Sequence, residues 1–330
     1  MIVTFLGTSS ATPTLTRNVS AIALSFTRRG RWWLFDCGEG TQQQIMRTAL
    51  KLSRLENIFI THLHGDHLYG LMGLLASRSL RGGSLSPVTV YGPPGLERYV
   101  EAMIETSGVH LQFPLRVQIV APGRTILEDG TAVACAAANH RGCAFSYAVI
   151  EPEQPGAFRA DLAKQAGIPP GPLYGRLKRG ETVHLPDGRS FHGKQFVGPP
   201  QPGRKIVYSG DTAPCDALVE LAKGADLLIH EATFAHAHRQ LAERSGHATA
   251  LQAARIARQA GVRALVLTHF SPRYDDERAE VKLTDLLREA QSVFPNTSLA
   301  ADFLSVAVKR ERNGDAARQA GSVGDEAQKT

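Results

Sequence analysis

The segment His62-Leu63-His64-Gly65-Asp66-His67 sets four strong metal ligands within six consecutive positions, directly after the run Glu56-Asn57-Ile58-Phe59-Ile60-Thr61. The β-branched and aromatic content of that run predicts a strand that ends where the ligands begin. Residues two apart on extended backbone share a side, which lets His62 and His64 close on one cation. Gly65 permits a sharp turn, and Asp66 is expected to open a helix that continues to Leu80, turning Asp66 and His67 toward a second cation. Imidazoles mixed with carboxylates suit Zn²⁺, with Mn²⁺ or Fe²⁺ as alternatives. A histidine-rich surface loop is the bland alternative.

A strand that ends in a cluster of this kind needs a sheet around it. Strands are predicted at Ile2 to Gly7, Ala21 to Thr27, Trp32 to Asp36, Asn57 to Thr61 and Val88 to Tyr91, with helices at Thr41 to Leu50, Asp66 to Leu80 and Gly95 to Ser107. The pattern resumes after Arg204 with strands at Lys205 to Tyr208, Asp226 to His230, Ala264 to Thr268 and Leu304 to Val308, and helices at Cys215 to Ala222, His247 to Ala260 and Ala279 to Phe294. Continuous apolar runs such as Asp226-Leu-Leu-Ile-His230 suit strands covered on both faces. Sheets under outer helices make a layered α/β domain.

At 330 residues and 43% apolar content the chain can bury a large core. It has no apolar run of about 18 residues, and Met1 to Phe5 reads as a first strand instead of a leader. A cytoplasmic protein without a membrane partner is therefore expected. Cys37, Cys135, Cys143 and Cys215 are scattered without CxxC spacing, as reduced thiols would be. The net charge of +6 and isoelectric point near 9.2 lean toward a polyanionic partner but do not require one.

Two stretches depart from the α/β pattern and divide it into core segments 1–150 and 205–309. Residues 151–204 hold nine of the 18 prolines and nine glycines, with Arg176, Lys178, Arg179, Arg189 and Lys194 among few acids. That composition offers too little apolar content for a core, so the stretch is expected to be either a projecting arm or a disordered linker. Residues 310–330 are polar without apolar period, which predicts a disordered tail.

A dinuclear site needs further ligands. His140, Asp211 and His269 each sit where an apolar strand-like run gives way to a loop, where sites are commonly built. With these in place the chain resembles the metallo-β-lactamase superfamily. Phe35-Asp36-Cys37-Gly38-Glu39-Gly40-Thr41-Gln42, Ser209-Gly-Asp-Thr212, His230-Glu-Ala-Thr233, Ser271-Pro-Arg-Tyr274 and Ala300-Ala-Asp-Phe303 narrow the resemblance to its ribonuclease Z branch, the tRNA 3′-processing endonucleases. The likeness runs from Met1 to about Val308.

The resemblance implies a four-layer αβ/βα sandwich with an inserted flexible arm and a two-zinc site at one edge. It further implies His62, His64 and His140 on one zinc and Asp66, His67 and His269 on the other, with Asp211 bridging. Asp66 would act as general base and His247, oriented by Glu231, as proton donor, while Asp36 and His230 would orient ligands or the fold. Removal of the 3′ trailer from precursor tRNA would leave a 3′-hydroxyl on the tRNA and a 5′-phosphate on the trailer. Gly167 to Leu177 is similar to the glycine- and proline-rich arm by which such enzymes grip tRNA, so Arg176, Lys178 and Arg179 would meet phosphates. Arg17, Asn18 and Arg273 are carried over as RNA contacts, although Leu15 of Pro13-Thr-Leu-Thr-Arg-Asn18 stands where the family has lysine. A homodimer is implied by resemblance alone. Another dinuclear hydrolase of the same fold, acting on a small phosphodiester or thioester, and an RNA-binding protein with a vestigial site are the competing possibilities. His110, His184, His192, His236 and His238 show no ligand pattern.

Overall fold

The computed structural model describes residues 1–27, 30–81, 86–127, 129–276 and 278–310. The tail expected over 310–330 lies, apart from Arg310, outside the described residues. The chain divides into two compact units: Met1–Ile150 with Arg204–Lys309, and Glu151–Gly203 with the segment from Arg310.

Strands β1 (Ile2–Gly7), β2 (Ala21–Phe26), β3 (Arg31–Phe35), β4 (Leu55–Phe59), β5 (Val88–Gly92) and β6 (Leu115–Ile119) belong to one sheet of the larger unit; β7 (Gly123–Ile126), β8 (Ala132–Ala137) and β9 (Phe145–Ile150) open another. Strands β10 (Thr182–His184) and β11 (Ser190–His192) pair as a hairpin in the smaller unit. The second sheet is completed by β12 (Lys205–Tyr208), β13 (Leu227–Glu231), β14 (Leu265–Thr268) and β15 (Thr297–Leu299), and β16 (Ser305–Ala307) returns to the first beside β1. In each sheet one half is parallel, β3 through β6 and β12 through β15, and the other antiparallel.

Successive strand residues face opposite ways, and here both ways are apolar. Ile206 and Tyr208 of β12, with Leu227 and Ile229 of β13, join Val3, Phe5, Leu24, Phe35 and Phe59 of the first sheet in a core between the sheets. Val207 and Leu228 point outward, under Leu218, Ala222, Ala253, Ala254, Ala257 and Leu286 of the covering helices. The first sheet turns Leu34, Ile58 and Val90 toward Ile45, Leu71, Leu75, Leu96 and Val100 on its own helices. Four layers result: helix, sheet, sheet, helix.

Element ends differ from expectation for identifiable reasons. The single helix predicted from Asp66 to Leu80 is two, Gly65–Leu68 and Leu71–Leu80. Gly70 separates them: its N–H donates to the Cys37 carbonyl at 2.9 Å, and a Cβ there would lie 2.1 Å from the Gly38 oxygen. The helix predicted from His247 begins at Ala250, because Thr249 caps it and exchanges hydrogen bonds with Gln252. His247 thus stands in the loop before the helix. The first helix ends at Met46 instead of Leu50.

The smaller unit corrects the expectation that its composition cannot carry a core. Ala163, Ile168, Leu177, Val183, Leu185 and Phe196 are buried together, contributed by helices Ala160–Gln165 and Pro172–Lys178, the loop between them, the β10–β11 hairpin and the 3₁₀ turn Gly193–Phe196. Its glycines and prolines serve the turns between these short elements: Pro172 opens a helix and Gly188 turns the hairpin at φ 86°. The apolar residues are simply too spread out to show a period. Among the described residues no helix is long and apolar enough to cross a membrane.

Candidate metal centre

The parallel halves of both sheets deliver their carboxyl ends to one place. Asp36 follows β3, Thr61 and His62 follow β4, Asp211 follows β12, Glu231 ends β13 and His269 follows β14, while His140 comes from the loop after β8. His62 Nε2 lies 2.9 Å from His64 Nδ1, which lies 3.4 Å from His140 Nε2. Asp66 Oδ2 lies 3.4 Å from Nε2 of both His67 and His269, and those two nitrogens are 3.3 Å apart. Asp211 spans the sets, with Oδ2 at 3.7 Å from His62 Nε2 and 3.3 Å from His67 Nε2, and Oδ1 at 3.3 Å from His269 Nε2. The structure therefore brings His62, His64 and His140 into one group, and Asp66, His67, Asp211 and His269 into another.

The imidazoles of His62, His67, His140 and His269 are oriented from behind, and the acceptors dictate their tautomers. Buried Asp36 accepts from the Thr61 N–H at 2.7 Å, the Thr61 hydroxyl at 3.0 Å, His67 Nδ1 at 2.7 Å and the Tyr208 hydroxyl at 2.9 Å. Thr61 Oγ1, its proton committed to Asp36, accepts from His62 Nδ1 at 3.0 Å. His140 Nδ1 donates to the Gly246 carbonyl at 2.7 Å, and His269 Nδ1 to Thr233 Oγ1 at 2.9 Å. The Thr233 hydroxyl in turn donates to Glu231 Oε2 at 2.6 Å. The Nε2 lone pairs of His62, His67, His140 and His269 are thereby left facing inward.

Such an arrangement asks for cations. Lone pairs that close repel one another, and the buried Asp211 Oδ1 has no hydrogen-bond donor. Burial, reinforced by His67, pushes His62 down to about 2. Burial also opposes charge on His67, yet Asp211, Asp36 and Asp66 hold it well above the ordinary range, as expected where negative charge outweighs positive. Asp211 would rise by burial, but His269 and His67 keep it well below the carboxylate range. Imidazoles, carboxylates and an orphaned oxygen are a donor set compatible with metal binding.

His247 stands beside this centre. Its Nδ1 donates to Glu231 Oε1 at 2.9 Å, and its ring centroid is 4.9 Å from that of His140 and 5.5 Å from that of His269. Glu231 is buried and also accepts from the N–H groups of Thr212 at 2.7 Å and Ala248 at 3.1 Å.

Other predicted residues fall elsewhere. Arg17 is spent inside the protein: it donates to Thr8 Oγ1 at 2.7 Å and the Ala300 carbonyl at 3.0 Å, and pairs with Asp275 at 3.5 Å. Asn18 donates to the Glu39 carbonyl at 2.8 Å. Both hold their loop instead of reaching out from it, whereas Leu15 at its tip is fully exposed. His230 touches no ligand: its Nδ1 bonds the Glu231 carbonyl and its Nε2 is buried without a partner. Arg176 and Arg179 share the carboxylate of Glu181 at 3.0 and 2.7 Å, and Lys178 is exposed between them in sequence. Arg273 is exposed, its guanidinium 5.2 Å over the Phe234 ring. Thr61, Thr233, Tyr208 and the Gly246 carbonyl were missed, since nothing in residue type sets them apart.

Residues 195–270 match the family model described as a β-lactamase superfamily domain, and residues 1–101 the one described as anti-Pycsar protein Apyc1. A metallo-β-lactamase fold protein from Bacillus subtilis, 17% identical, superposes with a TM-score of 0.65 over 92% of this chain and 98% of its own, a likeness of the fold alone. The human short-form tRNase Z is 32% identical with a TM-score of 0.66, covering 94% of this chain and 100% of that one. Ribonuclease Z of Brevibacillus brevis is 61% identical over 313 residues, 95% of this chain and 98% of the relative. On that identity over nearly its whole length, the chain belongs to the ribonuclease Z family.

Proposed function

We infer that this protein is an endoribonuclease that removes the 3′ trailer from precursor tRNA by hydrolysis at a dinuclear metal centre, leaving a 3′-hydroxyl on the tRNA and a 5′-phosphate on the trailer. The convergence of His62, His64 and His140 with Asp66, His67 and His269 around Asp211, whose Oδ1 has no hydrogen-bond donor, carries the inference. Two zinc ions would supply Lewis-acid activation of a water and neutralise charge on the phosphoryl oxygens. Asp66 faces the same space and serves as the acceptor of the water's proton. The ribose 3′-oxygen is a poor leaving group and needs a proton. His247 supplies it, held by Glu231 and pushed up to about 9 by Glu231 and Asp211 although burial opposes the charge.

The smaller unit is read as the RNA-gripping arm, with Arg176, Lys178 and Arg179 toward phosphates. Site of action in the cytoplasm and assembly as a homodimer complete the proposal. Met46 and Leu80, large apolar side chains left exposed on two helices joined by a Gln42–Ser77 bond, favour an apolar partner surface.

A precursor tRNA with a short trailer tests the activity. The full-length protein should contain about two equivalents of zinc, cut at the trailer junction with the stated end groups, and lose cleavage on chelation. A folded, metal-free protein that still cuts would sink the metal mechanism; loaded protein that leaves the precursor intact would sink the nuclease assignment.

A further inference from the structure

The loop from Ser9 to Asn18 is stitched down at both ends. Near the centre, the Ala11 N–H donates to Asp66 Oδ2 at 2.8 Å, the same oxygen that faces His67 and His269. Ala11 holds this bond from φ 61°, a left-handed conformation that a non-glycine residue keeps only when its surroundings impose it. Farther along, the hydroxyls of Thr14 and Thr16 donate to Asp275 Oδ2 at 2.6 and 2.5 Å, and Arg17 pairs with the other oxygen of Asp275. Thr14 Oγ1 also accepts the Arg17 N–H at 3.0 Å, and the Thr14 N–H donates to the Arg17 carbonyl at 2.8 Å, closing the turn. Between the two ends, Ser9 Oγ donates to the Thr12 carbonyl at 2.6 Å, and the Ser10 N–H donates to the carbonyl of Phe270, the residue after His269.

The loop is thus held at Asp275 on one side and at Asp66 on the other, and the short stretch of backbone through Thr12 and Pro13 joins the two anchors. We propose that Asp275 is a positioning residue for Asp66: by pinning Thr14, Thr16 and Arg17 it keeps the Ala11 amide aimed at the Asp66 carboxylate, and so sets the cation affinity of the Asp66–His67–His269 group. The proposal rests on the metal reading above. A purely local turn-stabilising role for Asp275 would leave cation affinity unchanged, which separates the two.

The test is a competition titration in which zinc-loaded, full-length protein is challenged with rising chelator and zinc release is followed. Wild type should release about two equivalents. Asp275→Ala and the Thr14→Val/Thr16→Val pair should each release one equivalent at about tenfold lower chelator, the low end of effects from partners behind a ligand, while the other leaves as in wild type. Asp275→Asn, which keeps an acceptor, should fall between. Release indistinguishable from wild type in a variant with native circular dichroism overturns the proposal, as does equal weakening of both equivalents. Should Asp275→Ala fail to fold, the threonine pair decides alone. Wild type that binds no zinc overturns the metal reading itself, an outcome distinct from the others.

Discussion

Buried Asp36 illustrates how one side chain can organise a centre it does not enter. Four donors from Thr61, His67 and Tyr208 saturate it, and two of those donors lead directly to ligands. His247 has the reverse position, exposed to the reacting space but tied to a buried carboxylate. Replacing it with alanine should lower kcat by about a hundredfold or more, the usual span of general acid catalysis, with KM nearly unchanged. The donor must be protonated, so kcat should hold below and fall above pH about 9, the value toward which Glu231 and Asp211 raise His247. Glu231→Gln removes part of that pull and should bring the break to lower pH. A pH–rate profile without an alkaline limb, or one that Glu231→Gln leaves in place, would dismiss the donor role. The candidate ligands were legible in the sequence because cation chemistry admits few side chains, and the structure brings those residues together. Their supports were not: a threonine hydroxyl or the Gly246 carbonyl acquires its role only from where the chain folds back.

Elements were legible where burial on both faces forces an unbroken apolar run, as in β12, β13 and β14. Their ends were not, since these depend on contacts between distant backbones. Gly70 is the clearest instance, a helix break set by the approach of Gly38. Alanine at this position would drive a methyl into a carbonyl, which should cost about 3 kcal/mol, the upper end of the usual overpacking range. Urea denaturation measures it; a midpoint equal to wild type would show that the helix pair is not wedged in this way. The same substitution displaces the short helix that carries His67, so zinc content should fall with stability.

At the scale of the whole molecule, every candidate ligand lies in the larger unit, while Arg176, Lys178 and Arg179 lie in the smaller one. Composition hid the smaller unit's core, because short elements joined by glycine and proline turns dilute apolar residues below any periodic signal. Substituting Arg176, Lys178 and Arg179 together with alanine should raise KM for precursor tRNA and flatten its salt dependence, since phosphate contacts release counterions. Hydrolysis of a small phosphodiester should be untouched. Equal loss on both substrates would argue that the unit does not serve RNA.

Because the candidate ligands are distributed from His62 to His269 and meet only where the two sheets converge, the centre cannot exist in a chain whose synthesis has not yet passed His269. A polypeptide still emerging from the ribosome has no complete means of cutting the RNAs around it. Activity would arrive abruptly, once the β14 end is released and docked, so that a product stalled or truncated before His269 is inert toward the transcripts that a finished copy would trim.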